Sequence, residues 1–103
     1  KDFWIWYLLP EQRKTYKTSS LRGGDDVAKI RFLAMSFTER YGVYVDFFDS
    51  VGSYISVSGL VLSKTYICDI SVISNVEHYY DGFSTRAEAR SKAIEKANEI
   101  YNN

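Results

Sequence analysis

A chain of 103 residues with thirteen basic and thirteen acidic side chains has no global electrostatic claim on nucleic acid or on an anionic membrane. Its length allows one modest core and one domain, residues 1–103. A lone cysteine, Cys68, excludes an intramolecular disulfide and fits a reducing compartment.

Residues 3–9, Phe-Trp-Ile-Trp-Tyr-Leu-Leu, are rich in β-formers and apolar at every position, and Pro10 stops them. They read as a strand covered on both faces, and they are too short for a membrane span or for a typical signal-peptide core plus its cleavage site. The polar connection that completes residues 1–24 holds Arg13, Lys14, Tyr16 and Lys17, a local surplus of positive charge suited to an acidic partner. Within it, Thr15–Thr18 suits a short edge strand. Asp25 or Asp26 then caps a helix carrying Val27, Ile30, Ala34, Phe37 and Tyr41 on one face, with Gly42 at its end.

Three strands are expected next, at 43–49, 54–62 and 65–73. The first alternates Val43, Val45 and Phe47 with Tyr44, Asp46 and Phe48. The second alternates Ile55, Val57 and Val61 with Tyr54, Ser56 and Ser58, with Gly59 as a bulge or close-packing point. The third sets Tyr66, Cys68, Ile70 and Val72 against Thr65, Asp69 and Ser71. Asp81-Gly82 signals a turn, and Thr85 with Glu88 three residues later is a capping box. The helix it opens repeats Ala89, Ala93, Ala97 and Ile100, a small-residue stripe suited to lying flat on a sheet. Together these elements predict an α+β fold: a four-stranded, mainly antiparallel sheet in the order strand, helix, three-stranded meander, helix, with two helices on one face. Residues 25–101 form its helix–three strands–helix unit.

Reactive groups are sparse. His78 is the only histidine and lies far from any zinc-like spacing. Cys68 falls on the apolar face of its strand, where a free cysteine acts as a small hydrophobe. Asp46 and Asp49 point to opposite sides of one expected strand, so with Asp69 they do not converge on a metal. Leu21-Arg22-Gly23-Gly24-Asp25-Asp26 puts glycines before a helix but lacks the phosphate-loop spacing. No catalytic residue, cofactor or metal is therefore assigned. Arg86, Arg90, Lys92 and Lys96 make the last helix locally basic, yet Glu88, Glu95 and Glu99 interleave with them.

The order of residues 25–101 resembles the double-stranded RNA-binding domain, whose last helix opens with a basic pair that contacts phosphates. Arg86 stands for one member of that pair and Ala87 occupies the neighbouring position, while Asp49–Ser53 lacks the family's minor-groove proline and histidine. The resemblance implies an RNA- or DNA-binding module using Arg86, Arg90 and Lys92. The ending from Gly82-Phe83-Ser84-Thr85-Arg86 through Ile100-Tyr101-Asn102 resembles that of many small bacteriophage and prophage proteins. That second likeness implies a cytoplasmic accessory or counter-defence protein in a bacterial host, acting by binding a macromolecule.

Aromatic residues make up 17% of the chain, nine of them Tyr, and Tyr and Trp are the usual anchors of interfaces. The competing account is a small core filled with large side chains. The preferred expectation is non-catalytic protein binding or homodimerisation, without membrane or metal, through Trp4, Trp6, Tyr16, Tyr44, Phe48 and Tyr54. Nucleic-acid binding is the alternative.

Overall fold

The computed structural model describes residues 2–9, 11–12, 24–73 and 77–102, and the chain groups into two compact units, Lys1–Arg40 and Tyr41–Asn103. Among the described residues the fold is α+β, with four helices and a three-stranded antiparallel sheet. The expected edge strand at 15–18, the basic segment around Tyr16 and the start of the Leu21–Asp26 loop lie outside the described residues.

In the first unit, helix α1 (Asp2–Tyr7) replaces the strand expected at 3–9. Its apolar residues serve a helix equally well, because Phe3, Trp4 and Tyr7 fall on one side at helical spacing. Phe3 stacks on Tyr7 with ring centroids 5.7 Å apart. Phe32 of α2 (Gly24–Leu33) meets Phe3, Trp4 and Tyr7 at 5.2, 5.4 and 5.1 Å. A six-residue helix is too short to stand on propensity, so this ring cluster holds it. Its first turn also carries Asp2, the charge a helix N-terminus favours. The buried residues of α2 are Ala28 and Phe32, four apart, while Ile30 is 66% exposed and Ala34 is also exposed. The expected face through Val27, Ile30 and Ala34 is thus rotated.

The helix expected to run from Asp25 to Tyr41 breaks at Ala34–Ser36. Ser36 Oγ accepts from the Glu39 backbone N–H at 3.3 Å and donates to Glu39 Oε1 at 3.0 Å, starting α3 (Phe37–Ser50). Gly42 is therefore interior to a helix, and residues 43–49 are helical rather than a strand. Val43, Phe47 and Phe48 are buried, a helical spacing that overrides the local β-propensity. Gly52, at φ +83°, turns the chain out of α3, and its carbonyl accepts from Ile73 N–H.

The second unit holds β1 (Ser53–Leu60), β2 (Thr65–Val72) and β3 (Glu77–Phe83), hydrogen-bonded in that order. Asp81-Gly82, expected as a turn, lies inside β3. Tyr66 pairs with Phe83 and Cys68 with Tyr80, so β3 carries one extra residue there, and Gly82 takes φ +82°. Helix α4 (Arg86–Tyr101) lies against all three strands. Thr85 Oγ1 caps it by accepting from Glu88 N–H at 3.1 Å, and Glu88 reaches back to Ser84 N–H at 3.2 Å. Ala89, Ala93 and Ala97 are fully buried, as are Cys68 and Ile70 of β2. Tyr101 closes the far end against Phe47 and Phe48, with centroids 5.7 and 6.4 Å away.

An alanine at position 93 leaves no volume for a larger group between helix and sheet. Ala93→Phe should cost about 1–3 kcal/mol by overpacking, read as a lower denaturant midpoint. An unchanged midpoint would show that α4 does not approach the sheet this closely.

Candidate functional site

With Cys68 and Ile70 under α4, strand alternation sends Ile67, Asp69 and Ser71 to the opposite face of β2. Register then sets rows across that face: Tyr54, Ser71 and Glu77 in one, Ser56, Asp69 and Tyr79 in the next. Tyr54 is 52% exposed and Tyr79 is 54% exposed, so two phenol rings flank a strip of serines and carboxylates. This open face is the first candidate surface.

Its electrostatic centre is the pair Asp69 and Glu77. Asp69 Oδ1 is buried and has no hydrogen-bond partner. A hydrogen bond with Asp69, the negative charge of Asp69 and slight desolvation together push the Glu77 carboxyl above its ordinary value. The pair is an acidic spot between two tyrosines, suited to a cationic side chain. Among the described residues, no group of three or more His, Cys, Asp or Glu is arranged to hold a metal, and no helix is long and apolar enough to cross a membrane.

The residues expected to form one aromatic interface are divided between the two units. Trp4 and Trp6 belong to the ring cluster of the first unit, where Lys29 Nζ lies 5.5 Å from the Trp4 ring centroid. Phe48 is buried beside Phe47 with centroids 5.2 Å apart, and Tyr44 is half-buried on α3. Tyr54 alone of the set stands on the open sheet face, and Tyr16 lies outside the described residues. Tyr79 escaped the sequence reading because Asp81-Gly82 suggested a turn. The alternation of Glu77 and Tyr79 with His78 and Tyr80 was the available signal for a strand there.

The basic residues of α4 are largely engaged within the unit. Arg90 lies over the Tyr41 ring at 5.2 Å, and Lys92 bridges Glu95 at 3.1 Å. Lys96 bonds Glu99 at 3.2 Å and lies 5.8 Å from the Tyr80 centroid. The Tyr41 hydroxyl is pushed up by burial, against the lowering pull of Arg90. Arg86 lies over Tyr66 at 5.1 Å, at the end of the sheet where α4 begins. His78 is half-buried and pairs with Ile70 across the ladder, while Cys68 is buried and burial pushes its thiol up.

No protein-family model, curated protein or solved structure matches this chain.

A carboxyl whose folded pKa is raised favours folding below its unfolded pKa, and that contribution is lost as pH rises through the folded value. Above that window Asp69 and Glu77 confront each other as carboxylates. Glu77→Gln should therefore unfold at a higher denaturant concentration than wild type at pH 7. The gap should narrow as pH falls below the ordinary glutamate value of 4.5. A gap independent of pH would mean that the two carboxyls do not interact.

Proposed function

We propose that this chain is a non-catalytic binding module whose partner is a protein, docked on the open face of the β-sheet. The observation that carries this reading is the pair of half-exposed tyrosines, Tyr54 and Tyr79, set beside the acidic pair Asp69 and Glu77. Tyrosines supply rigid, amphipathic contact area at low entropic cost, and the carboxylates select a partner segment carrying Lys or Arg. The charge on this face argues against a second copy as the occupant, because facing copies would bring like charges together. The likeness of the chain's ending to small phage and prophage proteins supports placing the partner in a bacterial cell, as a target of an accessory or counter-defence factor.

The test is an affinity capture from bacterial lysate in parallel with Tyr79→Ser and Asp69→Asn. A protein retained by wild type, lost with both variants and cross-linked to β2 or β3 supports the reading. Equal retention by all three, or wild-type sedimentation as a dimer that Tyr79→Ser disperses, overturns it.

The order α3–β1–β2–β3–α4 favours a second reading, an RNA-binding module of the double-stranded RNA-binding-domain kind. Against it stand the internal contacts of Arg90 and Lys92, which leave no free basic stripe along α4. Gel shifts with duplex RNA should show no micromolar binding at physiological salt. A complex there that weakens steeply with salt, and with Arg86→Glu, Arg90→Glu and Lys92→Glu, would favour the RNA reading instead.

A further inference from the structure

At the opposite end of β1 from Tyr54, the β1–β2 hairpin and the start of α4 border a shallow, open hollow of about 400 Å³. Gly59, Leu60, Val61, Lys64, Thr65, Tyr66 and Arg86 line it. Two features fix its shape. Lys64 adopts φ +57°, the left-handed conformation that closes the hairpin, and Gly59 admits the Tyr66 ring against β1. A Cβ at Gly59 would stand 3.3 Å from Tyr66 Cε1 and 3.9 Å from Arg86 Nη2.

The hollow is cationic. Among the described residues neither Arg86 nor Lys64 has an ion-pair partner. Glu88, the nearest acid along α4, is turned back to Ser84 N–H. Arg86 is also the first residue of a 16-residue helix, where the backbone already presents about half a positive charge. The Glu88 carboxylate at Ser84 N–H offsets part of that charge, and Arg86 and Lys64 add two cationic side chains at the hollow. Arg86 makes no hydrogen bond among the described residues, so its guanidinium N–H groups remain available as a fork for a tetrahedral oxyanion.

The rim is apolar. Val61 is 89% exposed and Leu60 adjoins it, an unusual composition for a hairpin tip in water. A space of this size lies within the range of small-molecule sites, roughly 300–1,000 Å³, so a bare phosphate would leave most of it empty. We propose that this hollow binds a phosphate monoester, with Arg86 and Lys64 holding the phosphate and Leu60, Val61 and the Tyr66 ring touching the esterified group. The site is independent of the open sheet face and of any partner bound there.

Phenyl phosphate titrated into isotopically labelled protein should shift the amide signals of Gly59, Thr65 and Arg86 saturably, with at least ten-fold higher affinity than inorganic phosphate. Arg86→Gln should weaken binding ten-fold or more. Lys64→Asn, which keeps a residue at ease in the left-handed conformation, should weaken it several-fold with the fold intact by circular dichroism. Vesicles of phosphatidylcholine with phosphatidic acid separate the two sources of such a group. Co-sedimentation that Arg86→Gln abolishes identifies a lipid headgroup, and its absence beside phenyl phosphate binding identifies a soluble ester. No saturable shift and no co-sedimentation would overturn the proposal. So would binding that both variants leave unchanged, or equal affinity for phenyl and inorganic phosphate.

Discussion

The second unit depends on one close approach, that of α4 to β2. Ala89, Ala93 and Ala97 recur every four residues, so a single line of methyl groups faces Cys68 and Ile70, and all five residues are fully buried. Dispersion attraction falls off steeply with separation, so small side chains gain most when helix and sheet approach closely. This approach decides which face of the sheet is closed. The placement of the regularly paired strand residues follows from it by alternation, including the open placement of Tyr54 and Tyr79.

That contact was legible in the sequence because alanine at four-residue spacing behind a Thr85–Glu88 cap marks a helix face pressed close to its neighbour. Helix α4, β1, β2 and the core position of Cys68 could be read on the same grounds. Residues 3–9 and 43–49 could not be read from local propensity. Both are short runs rich in aromatic and branched residues, with only Asp46 and Asp49 interrupting the second, so period 2 and period 3.6 fit equally well. Tertiary packing decides such cases: Phe32 draws Phe3, Trp4 and Tyr7 to one side of a helix, and Tyr101 does the same for Phe47 and Phe48. One sequence signal did favour the observed break. Ser36 and Glu39 have the same three-residue spacing as Thr85 and Glu88, and both pairs cap a helix.

The candidate surfaces were less legible than the fold, because each joins residues distant in sequence. Asp69 meets Glu77 only through the pairing of β2 with β3, and Lys64 shares a hollow with Arg86 only because β1 turns back beside the start of α4. Composition suggested recognition through the tyrosine excess, yet it could not separate rings that pack from rings that remain exposed. Tyr7 is fully buried and Tyr41 lies beneath Arg90, while Tyr54 and Tyr79 are half in water. Burial in this chain follows position on an element more closely than residue type.

The irregularity in β3 links both surfaces. In a regular strand Tyr80 and Phe83, three residues apart, would point to opposite faces. The extra residue at Asp81-Gly82 changes that parity, so Tyr80 and Phe83 pair with Cys68 and Tyr66, which lie on one face. Gly82 supports the change because φ +82° carries little penalty only without a Cβ. Upstream of the bulge, Tyr79 remains in the open row with Asp69. Downstream, the chain reaches Thr85 in phase to cap α4 and to lay Arg86 over Tyr66. A regular strand could satisfy one of these requirements, but a one-residue slip would turn the other to the wrong face. Asp81-Gly82 thus works less as a punctuation mark between strand and helix than as the device that lets one short strand serve the open face and the cationic hollow.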